Sequence, residues 1–156
     1  MKNNTFYSVD EAQKILENYC TYQERCHKEI ENKLSELKMI PEAKEKIILH
    51  LIQRDFLNEE RFSKAYARGK FYQKNWGKLK IKKELHFRNI STYNINSALN
   101  EIDANDYYET LKNIAEKKAV LIKESNSYKK KQKLITYLIS KGYETQLIYE
   151  VVNDIL

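Results

Sequence analysis

The sequence predicts an all-α protein of three tandem three-helix repeats that form an elongated, curved array. The 156 residues include only three Gly and one Pro, which disfavours folds that depend on many tight turns. Apolar residues recur with helical spacing, and similar patterns return after about fifty residues. A unit of that size buries little apolar surface alone, so neighbouring repeats are expected to pack on one another.

The internal repeat is clearest between the last two thirds of the chain. An offset of 53 residues aligns Ile95, Ala98, Leu99 and Ile102 with Ile148, Val151, Val152 and Ile155. The same offset aligns Ile81 with Leu134, Leu85 with Leu138, and Ile90 with Tyr143. In the first third, an offset of 50 residues predicts that the corresponding positions are Ile40, Ile48, Leu49 and Ile52. Its preceding helix matches only after its register slips by one residue.

Residues typical of helix ends divide each third into three helices. Ser8 with Glu11 forms a capping-box pattern, and Asn58 precedes two acids that suit a first turn. Asn105 or Asp106 is the corresponding start in the last third, Pro41 suits a first turn, and Gly142 suits a helix end. The predicted helices are 9–22, 26–38, 42–56, 59–74, 78–88, 92–102, 106–124, 129–141 and 145–155. The predicted repeats are 1–57, 58–103 and 104–156.

Positive charge is concentrated in residues 61–88. This stretch holds ten Lys or Arg and one acid, a net +9 in a chain whose net charge is +6. A solvated helix surface usually mixes both signs, so the near-absence of acids favours a surface that faces a partner. A concentrated basic zone is typical of proteins with a polyanionic partner. A general helical nucleic-acid-binding module is therefore one interpretation of the chain.

The helical spacing assigns faces to this stretch. Phe62, Ala65, Tyr66 and Gly69 are expected to face inward, as are Ile81 and Leu85 on the next helix. Lysines and arginines displace counterions from phosphates, and aromatic rings stack on unpaired bases. The candidate contacts with a partner or DNA are Arg61, Lys64, Arg68, Lys70, Lys78, Lys82, Lys83 and Trp76. For Trp76, a role as a plug in the helix junction stays open as the alternative to base stacking. For the second basic run at 127–133, a solvated loop stays open as the alternative to a second contact patch.

No catalytic or metal-binding motif stands out in the sequence. His27, His50 and His86 are scattered, and neither a metal-ligand spacing nor a Gly-rich phosphate loop is present. A Cys20–His27 nucleophile pair is the enzymatic alternative, although no third group orients it. The two cysteines are expected to be reduced thiols of a cytoplasmic protein. We expect no membrane span, secretory leader, metal or cofactor. We expect the protein to be a monomer.

The middle of the chain resembles a known family. The string "LNEERFSKAYARGKF…WGKLKIKKELHFRNIS" is similar to the middle repeat of the RecX regulatory proteins. The matching residues are Leu57, Asn58, Glu59, Arg61, Phe62, Tyr66, Arg68, Gly77, Ile81, Glu84, Leu85 and Ile90. The earlier segment "YCTYQERCHKEIENKL" resembles the first repeat of that family, through Tyr19, Arg25, Glu29 and Leu34. The turn "KNWGKL" lacks the first Gly and the Pro of the family pattern, and Asn89 replaces its stop Gly.

The resemblance implies an all-helical, non-enzymatic regulator. Such proteins bind the RecA recombinase and its filament on single-stranded DNA, and mostly inhibit strand exchange and the coupled ATPase. This places them in DNA repair, recombination and the SOS response. We expect the elongated molecule to lie along a groove of the filament, with its basic face on DNA phosphate or on acidic recombinase surface. Glu84 is expected to be an intramolecular partner of Arg61 or Arg68.

Overall fold

The computed structural model describes residues 6–156 and shows helices joined by short connections, which confirms the predicted fold class. The described residues form α1 (Val9–Tyr22), α2 (His27–Glu36), α3 (Pro41–Gln53), α4 (Glu59–Lys74), α5 (Lys78–Phe87), α6 (Thr92–Leu99), α7 (Ala104–Leu121), α8 (Ser127–Ser140) and α9 (Thr145–Ile155). Within each successive group of three, every helix packs against the other two. We name these groups repeats 1, 2 and 3.

The structure does not test the predicted domain boundaries. Residues 1–5, part of the predicted first domain and of the stretch expected to lack a leader, lie outside the described residues. The domain limits at 57/58 and 103/104 fall in the connections between α3 and α4 and between α6 and α7. These limits stay predictions.

The helix starts largely follow the expected caps. Ser8 and Glu11 form the reciprocal capping box of α1, and Asn58 accepts a hydrogen bond from the Arg61 backbone N–H at 3.0 Å. The expected start of α7 at Asn105 or Asp106 is wrong. Asp103 caps that helix, because its carboxylate accepts from the Asp106 N–H at 2.9 Å. An acid at N-cap and another in the first turn both suit the helix dipole.

The second helix of each repeat ends on a left-handed residue. Lys38 and Asn89 both have φ of 59°, and Gly142 has φ of 96°. These residues follow α2, α5 and α8 within two positions. Asn89 therefore serves as the helix stop that was expected of it, in a conformation that Asn tolerates better than most residues. The shared stop is a structural sign of the internal repeat.

The offset of 50 residues that was predicted for the first repeat is wrong by one. Among the residues it places at core positions, Ile40, Leu49 and Ile52 are 63%, 53% and 43% exposed. An offset of 51 instead pairs buried residues with buried residues: Ile81 with Ile30, Leu85 with Leu34, Ala98 with Ile47, and Ile102 with Leu51. One residue rotates a helical position by about 100°, enough to exchange a buried face for an exposed one.

The inward face of α4 also differs from the expectation. Its buried residues are Phe62, Ser63, Ala67 and Phe71. Ser63 is accommodated there because its hydroxyl donates to the Glu59 carbonyl at 2.6 Å. Ala65, Tyr66 and Gly69, which were expected to face inward, are only half-buried. The buried stripe is thus rotated, and one side of α4 stays open.

The described residues form two apolar cores rather than one. Repeat 1 has its own core, which includes Leu16, Ile30 and Leu51 and extends to Leu57. Repeats 2 and 3 share the other core, to which repeat 1 contributes Cys26. The chain exposes 10176 Å², whereas a compact monomer of this mass exposes roughly 8,300 Å². The excess surface is consistent with an extended array.

Polar contacts join repeat 1 to repeat 2, and we name them junction 1–2. Arg61 on α4 pairs with Glu24 from the α1–α2 connection and with Asp55 at 3.0 Å. The Glu59 carboxylate accepts from the His27 N–H at 3.1 Å. Lys28 donates to the carbonyl at the end of α5 at 2.9 Å. Charged side chains that are partly exposed therefore make up most of this junction.

Backbone and aromatic contacts join repeat 2 to repeat 3, and we name them junction 2–3. The Gly77 N–H donates to the Lys141 carbonyl at 2.8 Å, and the Leu79 N–H donates to the Gly142 carbonyl at 2.9 Å. The first turn of α5 thus meets the end of α8. A Cβ on Gly77 would lie 2.2 Å from the Gly142 carbonyl carbon, so the two backbones touch. Only Gly allows this approach.

Aromatic rings fill the space beside the two glycines. The rings of Phe71, Tyr107 and Tyr143 follow one another with centroids 5.6 and 5.1 Å apart. The Tyr107 hydroxyl accepts from the Lys78 N–H at 2.9 Å and donates to the Glu144 carboxylate. The Tyr143 hydroxyl donates to the Asn75 carbonyl at 2.9 Å. Buried hydroxyl groups at junction 2–3 are therefore hydrogen-bonded, as burial requires.

Candidate nucleic-acid and protein interface

The first three candidate cations on α4 have intramolecular partners. Besides Arg61 in junction 1–2, Lys64 lies 3.2 Å from Glu60 and 3.5 Å from Glu101, and Arg68 lies 3.7 Å from Glu101. These side chains are 30% to 48% exposed. Ion pairs at such exposure stabilise a fold only slightly, so these cations can exchange their carboxylates for another anion. Their contact with a partner stays a prediction.

Glu84 has the intramolecular role that was expected, with a different partner. Its carboxylate lies 3.3 Å from Arg88, the C-cap residue of α5, and not against Arg61 or Arg68. The Arg88 guanidinium also lies 4.8 Å from the Tyr66 ring centroid. Arg88 therefore links α5 to α4 and neutralises the one acid of the basic stretch.

Trp76 lies at the α4–α5 connection with two lysines over its ring. It is half-buried and packs edge-on against Tyr66, with ring centroids 6.5 Å apart. The Lys70 and Lys80 ammonium groups lie 4.8 and 4.4 Å from the Trp76 centroid. Such cation–π contacts hold flexible lysines in place at little cost. Trp76 thus acts as a junction plug that also positions cations, and base stacking by it stays a prediction.

The cations of α5 are the most open part of the candidate set. Lys82 and Lys83 are exposed, and Lys78 is half-buried with its ammonium 4.9 Å from the Tyr107 centroid. In the described part of the chain no carboxylate forms an ion pair with any of six neighbouring lysines. We name these the basic surface: Lys70, Lys74, Lys78, Lys80, Lys82 and Lys83.

The first turn of α5 contains lysines and no acid, and the first turns of α6, α8 and α9 also lack acids. Positive side chains near a helix N-terminus oppose the helix dipole. At α5 the carbonyl groups that end α8 offset this effect, because they accept from the Gly77 and Leu79 N–H groups. The lysines of α5 therefore have no acid of their own first turn as a partner and remain available to an external anion.

The second basic run lies on a helix and not in a loop. Tyr128, Lys129 and Lys130 open α8, whose first turn also lacks acids. Lys131 donates to the Asn153 side chain at 3.1 Å, and Lys133 pairs with Glu124 at 3.1 Å. The lysines of this run therefore have more intramolecular partners than the lysines of the basic surface have. Its role as a second contact stays a prediction.

Two positions gain importance only in the structure. Lys80 and Arg88 belong to the basic stretch 61–88 but are not among the candidate contacts that the sequence predicts. Both now lie over aromatic rings at the α4–α5 connection. Nothing in the local sequence indicates that Arg88 reaches Tyr66.

The cysteines do not have the properties of a nucleophile. Cys20 and Cys26 are buried free thiols. Burial raises the pKa of each to about 11, so the reactive thiolate is scarce at neutral pH. Within residues 6–156 no group of three or more potential metal ligands comes together. No described helix combines the length and apolar composition that a membrane crossing needs.

Comparison with protein families identifies two of the repeats. Residues 58–99 match the second three-helix domain of RecX, and residues 105–152 match the third three-helix domain of RecX. These two segments contain α4–α6 and most of α7–α9. The basic surface lies within the segment that matches the second domain.

Individual relatives agree with this assignment. The chain is 30% identical to the regulatory protein RecX of Clostridium acetobutylicum over 99% of its length and 71% of the relative. It is 31% identical to the regulatory protein RecX of Clostridium perfringens, but spans 60% of that relative's length. The crystal structure of RecX from Lactobacillus salivarius superposes with a TM-score of 0.85 at 25% identity, covering 94% of this chain and 95% of the other. The chain therefore belongs to the RecX family of regulatory proteins.

Proposed function

We propose that this protein binds the RecA recombinase filament on single-stranded DNA and inhibits strand exchange and the coupled ATPase. Membership of the RecX family supports a regulatory role. In this proposal the protein acts as a monomer in the cytoplasm, in DNA repair and recombination. It needs no catalytic residue, metal or cofactor.

The observation that carries the proposal is the unpaired basic surface. Its six lysines have no intramolecular carboxylate partners among the described residues. Lys82 and Lys83 are exposed, so DNA phosphate or an acidic surface of the recombinase reaches them without breaking an internal contact. Arg61, Lys64 and Arg68 would join such a contact only after leaving Glu24, Asp55, Glu60 or Glu101.

The test is a titration of the protein into cognate recombinase filaments on single-stranded DNA, with ATP turnover as the readout. We expect inhibition at amounts below one protein per recombinase protomer, because a bound regulator perturbs several neighbouring protomers. Lys82→Glu combined with Lys83→Glu should weaken inhibition by at least tenfold, since it reverses two charges at the contact. An unaffected ATPase in the presence of intact filaments would contradict the proposal.

A matched control separates the basic surface from net charge. Lys14→Glu combined with Lys46→Glu makes the same charge change on exposed positions of repeat 1. This control should inhibit as the wild type does. Circular dichroism should show the same helicity for both double variants, because all four side chains are exposed. Equal loss in both variants would indicate a diffuse electrostatic effect.

A general nucleic-acid-binding module is the second candidate function, favoured by the same basic surface. Such a module would bind bare DNA tightly at low salt, and its affinity would fall steeply as salt rises. It would inhibit the recombinase only at amounts that coat the DNA. Binding to bare DNA and inhibition of the filament, measured at several salt concentrations, distinguish the two functions.

A further inference from the structure

A groove open to solvent runs beside α4 at the junction of repeats 1 and 2. We name it the junction groove; its lining includes Phe62, Tyr66 and Gly69 of α4, and Gln23 after α1. Apart from the adjacent backbone of α4 itself, a Cβ on Gly69 would meet no atom within 4 Å, so the groove reaches the backbone of α4. Its volume is about 280 Å³, close to the lower limit of roughly 300 Å³ for small-ligand sites. The groove therefore has room for one flat group.

Aromatic rings and cations border the junction groove. The Phe62 and Tyr66 ring centroids lie 5.7 Å apart, and both residues line it. Lys70 and Lys74 line its end near the C-terminus of α4. The Lys70 ammonium lies 5.4 Å from the Tyr66 centroid, which holds this cation at the rim. The half-buried Tyr66 ring, which the Arg88 guanidinium also approaches to 4.8 Å, and the largely buried Phe62 thus form an aromatic floor beside two positive charges.

Amide groups border the same groove. Gln23 and Gln73 line it, are exposed, and form no side-chain hydrogen bond with any residue that the structure describes. Each amide offers both donors and acceptors. Glu24 also lines the groove: its Oε1 accepts from Arg61, while its Oε2 is buried and has no hydrogen-bond partner among the described residues. The available polar groups therefore suit the edge of a heterocyclic ring.

We propose that the junction groove binds one unstacked nucleobase of single-stranded nucleic acid. The base lies on the Tyr66 side of α4 over Gly69, the Gln23 and Gln73 amides bond to its edge, and Lys70 and Lys74 meet the flanking phosphates. This inference rests on the proposed function, because it assigns part of the contact with single-stranded DNA. It adds a base-dependent contact that the basic surface alone does not provide.

Other occupants fit the junction groove less well. Duplex DNA keeps its bases stacked, so it presents no free base to Gly69 and Tyr66. A partner helix is too wide for a groove of about 280 Å³ and would bury the Lys70 and Lys74 charges without compensation. An acidic peptide side chain would meet the lysines but leave the aromatic floor unused. A base with its flanking phosphates would contact the aromatic floor, the two lysines at the rim and the two amides at the same time.

The test compares two labelled single-stranded oligonucleotides of about 15 nucleotides, one of thymidine and one with abasic sites throughout. We expect the full-length protein to bind the thymidine oligonucleotide roughly 5- to 140-fold more tightly at the same salt concentration, the range for stacking of a single base. Gly69→Leu fills the groove and should reduce thymidine binding to the abasic level, while leaving abasic binding unchanged. Gly69→Ala, which adds one methyl group, should retain most of the preference.

The variants are suited to this test because they are expected to fold. The Gly69 position is open, and Leu or Ala in a helix stabilises it relative to Gly by about 1 kcal/mol. A preference for the thymidine oligonucleotide that survives in Gly69→Leu overturns the inference, and so does equal binding of both oligonucleotides by the wild type. Neither result affects recombinase inhibition that depends on Lys82 and Lys83. Failure of the groove and failure of the proposed function are thereby distinguishable.

Discussion

Junctions 1–2 and 2–3 join equivalent repeats by different physical means. Junction 1–2 relies on partly exposed charges, with Arg61 between Glu24 and Asp55. Junction 2–3 relies on touching glycine backbones and a row of buried rings around Tyr107. Repeats 2 and 3 also share an apolar core, whereas repeat 1 has its own and contributes only Cys26 to the shared one. Repeats 2 and 3 should therefore behave as one unit, and repeat 1 as a separately stabilised one.

This difference bears on the proposed contact of the protein with a recombinase filament. Contacts between exposed charges are weakened by salt and by competing anions, so the angle at junction 1–2 can adjust to a surface. Packed backbones and rings resist such adjustment. The basic surface lies in repeat 2, which is packed rigidly against repeat 3, and it is adjacent to junction 1–2.

The largest expected effect comes from Gly142→Ala. Gly142 has φ of 96°, and a Cβ there would lie 2.3 Å from the Lys80 Cβ. Backbone strain and overlap together should destabilise repeats 2 and 3 by about 3 kcal/mol. Urea unfolding followed by the fluorescence of the single tryptophan, Trp76, measures the stability of repeats 2 and 3 directly.

Gly69→Ala is the matched control for that substitution. It also adds one methyl group, but into open space on a helix. It should stabilise the protein by about 1 kcal/mol, since Ala is the better helix former. Equal midpoints for the wild type and Gly142→Ala would show that the glycine contact is not needed at junction 2–3.

A smaller effect is expected from Tyr107→Phe. The change removes the hydroxyl that bridges the Lys78 N–H and the Glu144 carboxylate. It leaves the partly buried Lys78 N–H without its acceptor and should cost about 1–3 kcal/mol in thermal or urea unfolding. Tyr72→Phe is the control, because the hydroxyl that it removes is exposed and bonds to Asp106; its effect should stay below about 0.5 kcal/mol.

Tyr107 should also make the stability of junction 2–3 sensitive to alkaline pH. Burial, and then the hydrogen bond to Glu144, raise the pKa of Tyr107 above its usual 10.0, and burial raises that of Tyr143. Above about pH 10 the unfolded chain loses tyrosine protons that the folded chain keeps, so the free energy of unfolding falls as pH rises. Tyr107→Phe should reduce that slope between about pH 10 and 11, measured from unfolding midpoints. An unchanged slope would contradict this origin.

The smallest effect is expected from Arg61→Gln at junction 1–2. The substitution removes the cation from Glu24 and Asp55, whose side chains are 30% and 71% exposed. Because the pairs are partly solvated, the loss should be about 1 kcal/mol at low salt and should diminish near about 1 M salt. Unfolding of the wild type and the variant, compared at both salt concentrations, measures this difference. A loss independent of salt would indicate that junction 1–2 is held by packing.

Much of the fold could be predicted from local sequence. Helical periodicity located the helices, and the caps at Ser8 and Asn58 marked their starts, because these signals act within one turn. Offsets between diverged repeats were less reliable: a shift of one residue assigned Leu49 and Ile52 to the core, although both are exposed. Periodicity indicates that a helix has an apolar face but leaves its rotation uncertain when apolar residues surround it.

The candidate site was predictable as a concentration of charge, not as a set of contacts. The density of Lys and Arg in 61–88 is visible in the sequence, but the availability of each cation depends on residues far along the chain. Glu24 precedes Arg61 by 37 residues, and Glu101 follows Lys64 by the same number. The open side of Gly69 also depends on where repeat 1 packs. Such pairings follow from tertiary structure, which local spacing does not encode.

The meeting of α5 with α8 has a consequence for biosynthesis. The Gly77 N–H finds its acceptor in Lys141, 64 residues later in the chain. At roughly 5–20 residues per second, a ribosome needs roughly 3–13 s to make that segment. Repeat 1 can close its own core during this interval, while the lysine-rich helix is still without its carbonyl partners. The nascent basic segment thus emerges before its folded neighbour exists, and its completion depends on the last third of the polypeptide leaving the exit tunnel.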